Sequence, residues 1–270
     1  MSMLPNDTEI GIFGGTGFYS LLSDAVDYDV PTPYGDPSDT ITVGNVAGRK
    51  VAFLPRHGST HTVPPHKINY RANLDAFKQL GIRRIIAPTA CGSLQSDIFP
   101  GDFVVSDQFV DRTRARQDTY YDGPVVTHIS GHDPYCGQLR ELACQQIESH
   151  CIPLHRTGTC VVIQGPRFST KAESEFFSRC GWSTINMTQY PEVVLARELA
   201  MCYVNIALVT DYDAGVTAPA GYALSSTEEI MRVLGENNDR VKSVIHGMVA
   251  NMPADFTCGC GQTLAASQIR

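Results

Sequence analysis

Two carboxylates close the most chemically pointed stretch of this sequence. Tyr203 to Val209 is a strongly β-forming run, and Thr210, Asp211, Tyr212 and Asp213 follow it at once. Acidic side chains delivered at a strand end can accept hydrogen bonds from a bound heterocycle or hand it a proton. Donors stand at the ends of other apolar runs. Arg56 and His57 follow Lys50 to Leu54 in Pro55-Arg56-His57-Gly58, Thr89 follows the run from Arg83, and Thr188 follows Ile185 and Asn186. Thr16 sits in Gly14-Gly15-Thr16-Gly17 after Glu9 to Phe13, where glycines let backbone N–H groups approach an anion. A guanidinium, an imidazole and hydroxyls suit one tetrahedral oxyanion. Donors and acids together suit displacement at a glycosidic carbon, in which phosphate attacks the sugar while a carboxyl group protonates the departing base. A purine anion leaves poorly, so hydrogen bonding or proton transfer at N7 lowers the barrier in the transition state.

The elements that must position these groups read as an open α/β sheet, whose strand ends deliver side chains to a crevice. Gln164 to Asp213 supplies three such pieces, QGPRFSTKAESEFF, INMTQYPEVVLAREL and YVNIALVTDYDAG. A hairpin is expected from 40–46 and 50–54 around Gly48, and strands over 83–89, 103–106 and 158–163. Helices are expected from about 72 to 80, from 135 to 149 with Leu139, Leu142, Ala143 and Ile147 on one face, and from 227 to 251. In the last helix, Ile230, Val233, Leu234, Val241, Val244, Ile245 and Met248 fall at helical spacing and read as core rather than ligand pocket. His128, between Val126 and Ile129, reads as a core or interface histidine. The 270 residues, 43% hydrophobic and 18% charged, suffice for one α/β domain over 1–270, with a flexible Cys-containing tail at 254–270.

Other classes of function fit less well. A formal net charge of −7 without a Lys/Arg-rich run argues against a nucleic-acid partner. No basic segment leads into an apolar signal and no run approaches about 18 apolar residues, so a membrane partner is not expected and a cytoplasmic protein is. Strand–GGTGF also opens nicotinamide-dependent reductases, but Phe18 to Val26 is too short for a crossover helix and second strand, and no Tyr is followed four residues later by Lys. No metal is expected: Gly58-Ser59-Thr60 disfavours a helix between His57 and His61, and no carboxylate lies close by. Of 9 cysteines, Cys91, Cys136, Cys144, Cys151, Cys160, Cys180 and Cys202 are scattered and read mostly as small buried hydrophobes. Cys258 and Cys260, across one glycine, read first as an inert tail and second as a disulfide or metal-binding pair lacking a nearby second pair.

GGTGF, PRHG, TACGSL, GDFVVSDQFVDRT, GPRFST-AES, NMT-PEVVLARE and VTDYDAG, in that order from about Ile10 to Asp213, resemble the trimeric purine nucleoside phosphorylase family. The resemblance implies a central mixed, twisted β-sheet flanked by helices, and a pentosyltransferase with phosphate as co-substrate and no other cofactor. It implies that Thr16, Arg56, His57, Thr89, Ala90 and Thr188 hold phosphate. Met187 would lie against the ribose, Phe168 and Ser169 beside the purine, and Asp211 and Asp213 on its N7 and 6-amino edge. It further implies a homotrimer, or a hexamer built from trimers, with His128 near a neighbouring subunit's 5′ pocket. Gln189-Tyr190 and the loop 216–222 depart from the family's pattern.

The expected reaction is phosphorolysis of S-methyl-5′-thioadenosine to adenine and 5-methylthioribose 1-phosphate, in methylthioadenosine and methionine salvage. The alternative is a nucleoside phosphorylase acting on adenosine or on 6-oxopurine nucleosides such as methylthioinosine. A 6-amino group needs an acceptor, which a carboxylate supplies, whereas a 6-oxo group prefers an amide; two carboxylates favour adenine. Hydrolysis competes as a reaction type, but a neutral water does not require so many cationic and hydroxyl donors. A nucleoside-binding protein without activity would not need both halves of the site.

Overall fold

The computed structural model describes residues 4–5, 7–14, 21–219, 226–265 and 267–269. Strands β1 (Ile10–Gly14), β2 (Ser23–Tyr28), β3 (Ile41–Val46) and β4 (Arg49–Pro55) precede helix α1 (Tyr70–Gln79) and the long strand β5 (Arg84–Ser93). Then come β6 (Phe103–Val105), β7 (Gln108–Arg112), α2 (Gly137–Ser149), β8 (Leu154–His155), β9 (Thr159–Ile163) and α3 (Lys171–Arg179). The chain continues through β10 (Thr184–Asn186), α4 (Gln189–Glu198), β11 (Cys202–Tyr212) and α5 (Thr227–Ala250). The strands form one 11-stranded mixed sheet in the order β2-β3-β4-β1-β5-β10-β9-β7, with β11 on the other edge of β5, β6 beside β11 and β8 beside β6.

Local chemistry accounts for the turns. The β3–β4 hairpin closes on Ala47 and Gly48, both at positive φ (50° and 76°), as a two-residue turn that matches strand twist requires. Every residue of β11 is buried, the signature of a strand covered on both faces. One apolar cluster joins α2 and α5 to one face of the sheet, and a second joins α1 and α4 to the other.

Strand β5 organises the site. Along one edge it pairs with β11 for its whole length. Along the other it pairs in parallel with β1 at 84–86 and antiparallel with β10 at Gly92 and Ser93. Ala87 to Cys91 therefore face a gap between β1 and β10. Pro88 suits this gap: its carbonyl accepts from Arg56 Nη1 at 3.1 Å on the open edge, so its missing N–H costs the β11 ladder nothing.

The observed elements refine the expectations. Strand β11 does not stop at Val209 with the acids beyond it; it runs through Asp211 to Tyr212. Strands β2 and β7 were not expected, because their short polar sequences carry little hydrophobic periodicity. Thr16, and with it the glycine loop from Gly15, lies outside the described residues, as do 220–222 of the departing loop.

Candidate active site

A cavity of about 600 Å³ opens at the gap in the β5 edge. Its walls bring together Arg56 and His57 from the end of β4, Thr89, Ala90 and Gly92 from β5, Phe168 and Ser169, Met187 and Thr188 after β10, and Asp211 and Asp213. His128 is not among them. It is exposed, in a segment whose backbone pairs with the C-terminal residues around Ser267, so the core alternative for it is excluded. The neighbouring Val125 and Val126 are exposed as well.

The acids owe their placement to a β-bulge. Val209 pairs with Cys91 and Asp211 with the next residue, Gly92, so Thr210 is inserted without a partner. An unbroken strand would put Asp211 on the face of Ala207 and Val209, inside an apolar cluster with Cys91, Ile98 and Val104. The bulge puts it on the opposite face. There the Thr210 hydroxyl donates to Asp211 Oδ1 at 2.6 Å, and the Ser169 hydroxyl donates to Asp213 Oδ2. Both carboxylates are buried. Gly92 lies between them: a Cβ there would stand 3.6 Å from Asp211 Oδ2 and 3.0 Å from Ile185 Cγ2. Gly92→Ala is expected to narrow this end of the cavity and raise the nucleoside KM by about tenfold. Steady-state kinetics beside a melting curve within a few degrees of wild type checks it; an unchanged KM would mean that this end of the cavity does not hold the substrate.

On the opposite wall, Arg56 is not a bare cation. Its Nε and Nη2 donate to Glu192 at 2.9 and 2.7 Å, and the Tyr203 hydroxyl donates to the same carboxylate at 2.7 Å. The guanidinium also lies over the Phe13 ring, 5.2 Å from its centroid. Glu192 holds Arg56 firmly in its charged form despite burial. Glu192 neutralises its charge, and what faces the cavity is a fixed planar donor. Sequence reading did not single out Glu192.

His57 is likewise different from a simple donor. Burial, with Arg56 and His61 adding to it, pushes its value from 6.5 down to about 4. Its Nδ1–H donates to the Val63 carbonyl at 2.9 Å, so the neutral ring presents Nε2 as an acceptor. Such a ring can take the P–OH hydrogen of a protonated phosphate. Between pH 6.5 and about 4 the unfolded chain binds a proton that the folded chain refuses. The stability from a neutral His57 is therefore complete above about pH 6.5 and lost as pH falls towards 4. His57→Gln is expected to flatten the fall in melting temperature across that window; a profile as steep as wild type would contradict it.

Thr89 is oriented by a buried chain that the sequence analysis also missed. Gln189 Nε2 donates to Ser106 Oγ (3.1 Å), Ser106 Oγ to Asn205 Oδ1 (3.1 Å), and Asn205 Nδ2 to Thr89 Oγ1 (3.0 Å). Because Thr89 Oγ1 accepts there, its own hydrogen is left to donate into the cavity. Asn205, a lone amide inside an apolar strand, was the available signal. Thr188 precedes α4, and its hydroxyl makes no capping bond. Met187 is seated against Gly165, where a Cβ would lie 2.6 Å from its Sδ. Arg116 ties this region together: Nη2 donates to the carbonyls of Gln164 and Met187, each at 2.9 Å, and Nη1 to that of Tyr190.

The last wall comes from α5. Ile230 and Leu234, expected in the core, line the cavity with Met231; Val241 lines it too but is buried core as expected, like Val233, Val244, Ile245 and Met248. Periodicity identifies an apolar face but not whether protein or ligand covers it. His57 and His61 stack with centroids 4.7 Å apart. Among the described residues no third ligand joins them; the only cluster of metal-ligating side chains lies elsewhere.

Residues 9–250 match the model of the phosphorylase superfamily. An S-methyl-5′-thioadenosine phosphorylase from Thermofilum pendens is 47% identical over 258 residues, covering 95% of this chain and 97% of that one. A purine nucleoside phosphorylase from Streptomyces coelicolor is 48% identical over 266 residues, 95% of this chain and 94% of its own. In structure, a mutant of the adenosine/methylthioadenosine phosphorylase from Schistosoma mansoni in complex with methylthioadenosine superposes with a TM-score of 0.85. It is 36% identical, covering 92% of this chain and 93% of that one.

Proposed function

The chain belongs to the phosphorylase superfamily, and on that premise we propose that it cleaves S-methyl-5′-thioadenosine with phosphate, releasing adenine and 5-methylthioribose 1-phosphate. The observation that carries this reading is one cavity with a donor wall of Arg56, Thr89 and Thr188 facing an acid wall of Asp211 and Asp213. Phosphate binds at the donor wall, with the Ala90 backbone beside it, His57 Nε2 on its P–OH and Thr16 completing the cradle. Its oxygen attacks the anomeric carbon as the bond to N9 breaks. The electron pair enters the purine; of the Asp pair, held by Thr210 and Ser169, one carboxylate accepts a hydrogen bond from the 6-amino N–H, and the other, entering the step as the carboxylic acid, gives its proton to N7 and is left as the carboxylate. Met187 packs on the ribose and Phe168 on the base.

The apolar wall of Ile230, Met231 and Leu234 supports a methylthio group at C5′, whose apolar surface it would cover; Thr227 and Asn238 of the same helix line the cavity beside it. Phosphate is the co-substrate, and the chemistry needs no metal, nicotinamide or flavin. The exposed valines beside His128 support a homotrimer, or a hexamer of two trimers, in which His128 reaches a neighbouring cavity. Among the described residues no helix is long and apolar enough to cross a membrane. We place the enzyme in cytoplasmic purine and methionine salvage.

A second reading, adenosine or a 6-oxopurine nucleoside such as methylthioinosine as preferred substrate, is favoured by the similarity to a purine nucleoside phosphorylase. Ranking kcat/KM for methylthioadenosine, adenosine, methylthioinosine and inosine decides between them. The proposal expects methylthioadenosine first and both 6-oxo compounds at least about 100-fold lower, because a buried carboxylate facing O6 is left unpaired. Either 6-oxo compound ranking first would overturn it.

A further inference from the structure

We propose that Cys136, Cys202, Cys258 and Cys260 form a structural zinc site that staples the C-terminal tail to the body of the protein. The four Sγ atoms all lie within 4.8 Å of one another, and three of the four residues are buried. They come from three distant places: the residue that caps α2, the first residue of β11, and the turn at Gly259–Gly261. The sequence showed only the close pair in the tail, and Cys136 and Cys202 read as scattered hydrophobes. The missing second pair is supplied by the fold.

The spacing suits a metal better than a disulfide. A tetrahedron with zinc–sulfur bonds of about 2.3 Å has sulfur–sulfur edges of about 3.8 Å. The Cys202–Cys258 separation of 3.3 Å and the 4.8 Å limit bracket that edge, whereas a disulfide needs about 2.05 Å. Every cysteine of the chain is free. Charge is provided for as well. Four thiolates around a divalent cation carry a net charge of about −2, and binding releases their protons. Arg197 Nη1 lies 3.9 Å from Cys260 Sγ, and Arg197 Nε is buried with no hydrogen-bond partner of its own. The backbone of the ligand turn is already anchored, because Thr257 N–H and Cys258 N–H both donate to Gln138 Oε1, at 3.0 and 2.9 Å.

Four thiolates leave no open coordination position, so the ion is structural. The site lies at the start of β11, about 30 Å along the strand from Asp211 at a rise of about 3.3 Å per residue. Its consequence is the fixing of the tail that follows α5.

Elemental analysis of protein purified without chelator, with intact mass under denaturing, non-reducing conditions, tests the assignment. About one zinc per chain and the mass of a fully reduced chain are expected. The double variant Cys258→Ser, Cys260→Ser is expected to lose the zinc and melt at lower temperature while keeping phosphorolysis at 25 °C. Should that variant fail to fold, titrating the wild-type thiols with a mercurial is expected to release one zinc per chain, and cobalt substitution to give the charge-transfer and d–d bands of a tetrahedral tetrathiolate. A chain without zinc after growth in zinc-replete medium, a mass lower by the hydrogens of one or two disulfides, or zinc retained by the double variant would overturn the proposal.

Discussion

Asp211→Asn is expected to lower kcat/KM for methylthioadenosine by about 100-fold or more, and to raise the relative rate on methylthioinosine. The bulge at Thr210 turns this carboxylate to the Gly92 side of β5, where it is buried. The change keeps shape but exchanges one acceptor for a donor. A 6-amino group then meets an N–H, a buried mismatch, while a 6-oxo group gains a partner. Thr210 can still donate to the amide oxygen, so the melting temperature should stay within a few degrees. Kinetics on both nucleosides reads the result directly. An Asn variant that keeps its adenine preference and gains nothing on the 6-oxo substrate would show that Asp211 does not read the base.

Glu192→Ala acts on the opposite wall and should cost stability as well as turnover. It removes both charge-assisted bonds to Arg56 and the bond from Tyr203, leaving a guanidinium inside the protein without its counter-charge. Breaking such a pair costs about 3–5 kcal/mol. In a chain of 270 residues this corresponds to a fall in melting temperature of roughly 10 °C. The phosphate KM should rise because Arg56 loses its fixed orientation. Glu192→Gln, which keeps one acceptor, should fall between. A melting temperature unchanged in the Ala variant would mean that the pair contributes nothing net, and the phosphate wall would then have to be held by Asn205 and its partners.

Part of the cavity wall was legible in the sequence, because a polar residue that closes an apolar β-branched run stands out: that pattern marks Arg56, which follows the end of β4, and it marks Thr89 and Asp211, which the structure places inside β5 and β11 rather than beyond them. What lay hidden depends on contacts between distant segments. Glu192 is 136 residues from Arg56, and nothing in NMTQYPEVVL distinguishes a buried ion-pair partner from a helix surface. The bulge is equally silent, since Thr210 is an ordinary strand residue until its register against β5 is known. Helix α5 misled for a different reason. An apolar stripe fits a core and a nucleoside pocket alike, and only the cavity separates Leu234 from Val244. Asn205 was readable: a lone amide in YVNIALV has to be satisfied, and its partner proved to be Thr89.

In the proposed reaction one cavity joins a nucleoside to phosphate. Following methylthioadenosine cleavage by phosphorus NMR, with adenine measured in parallel, tests it most directly. No adenine release is expected without phosphate and, with phosphate, one equivalent of sugar 1-phosphate for each adenine. Adenine appearing while the phosphate signal stays unchanged would contradict it and identify the enzyme as a hydrolase.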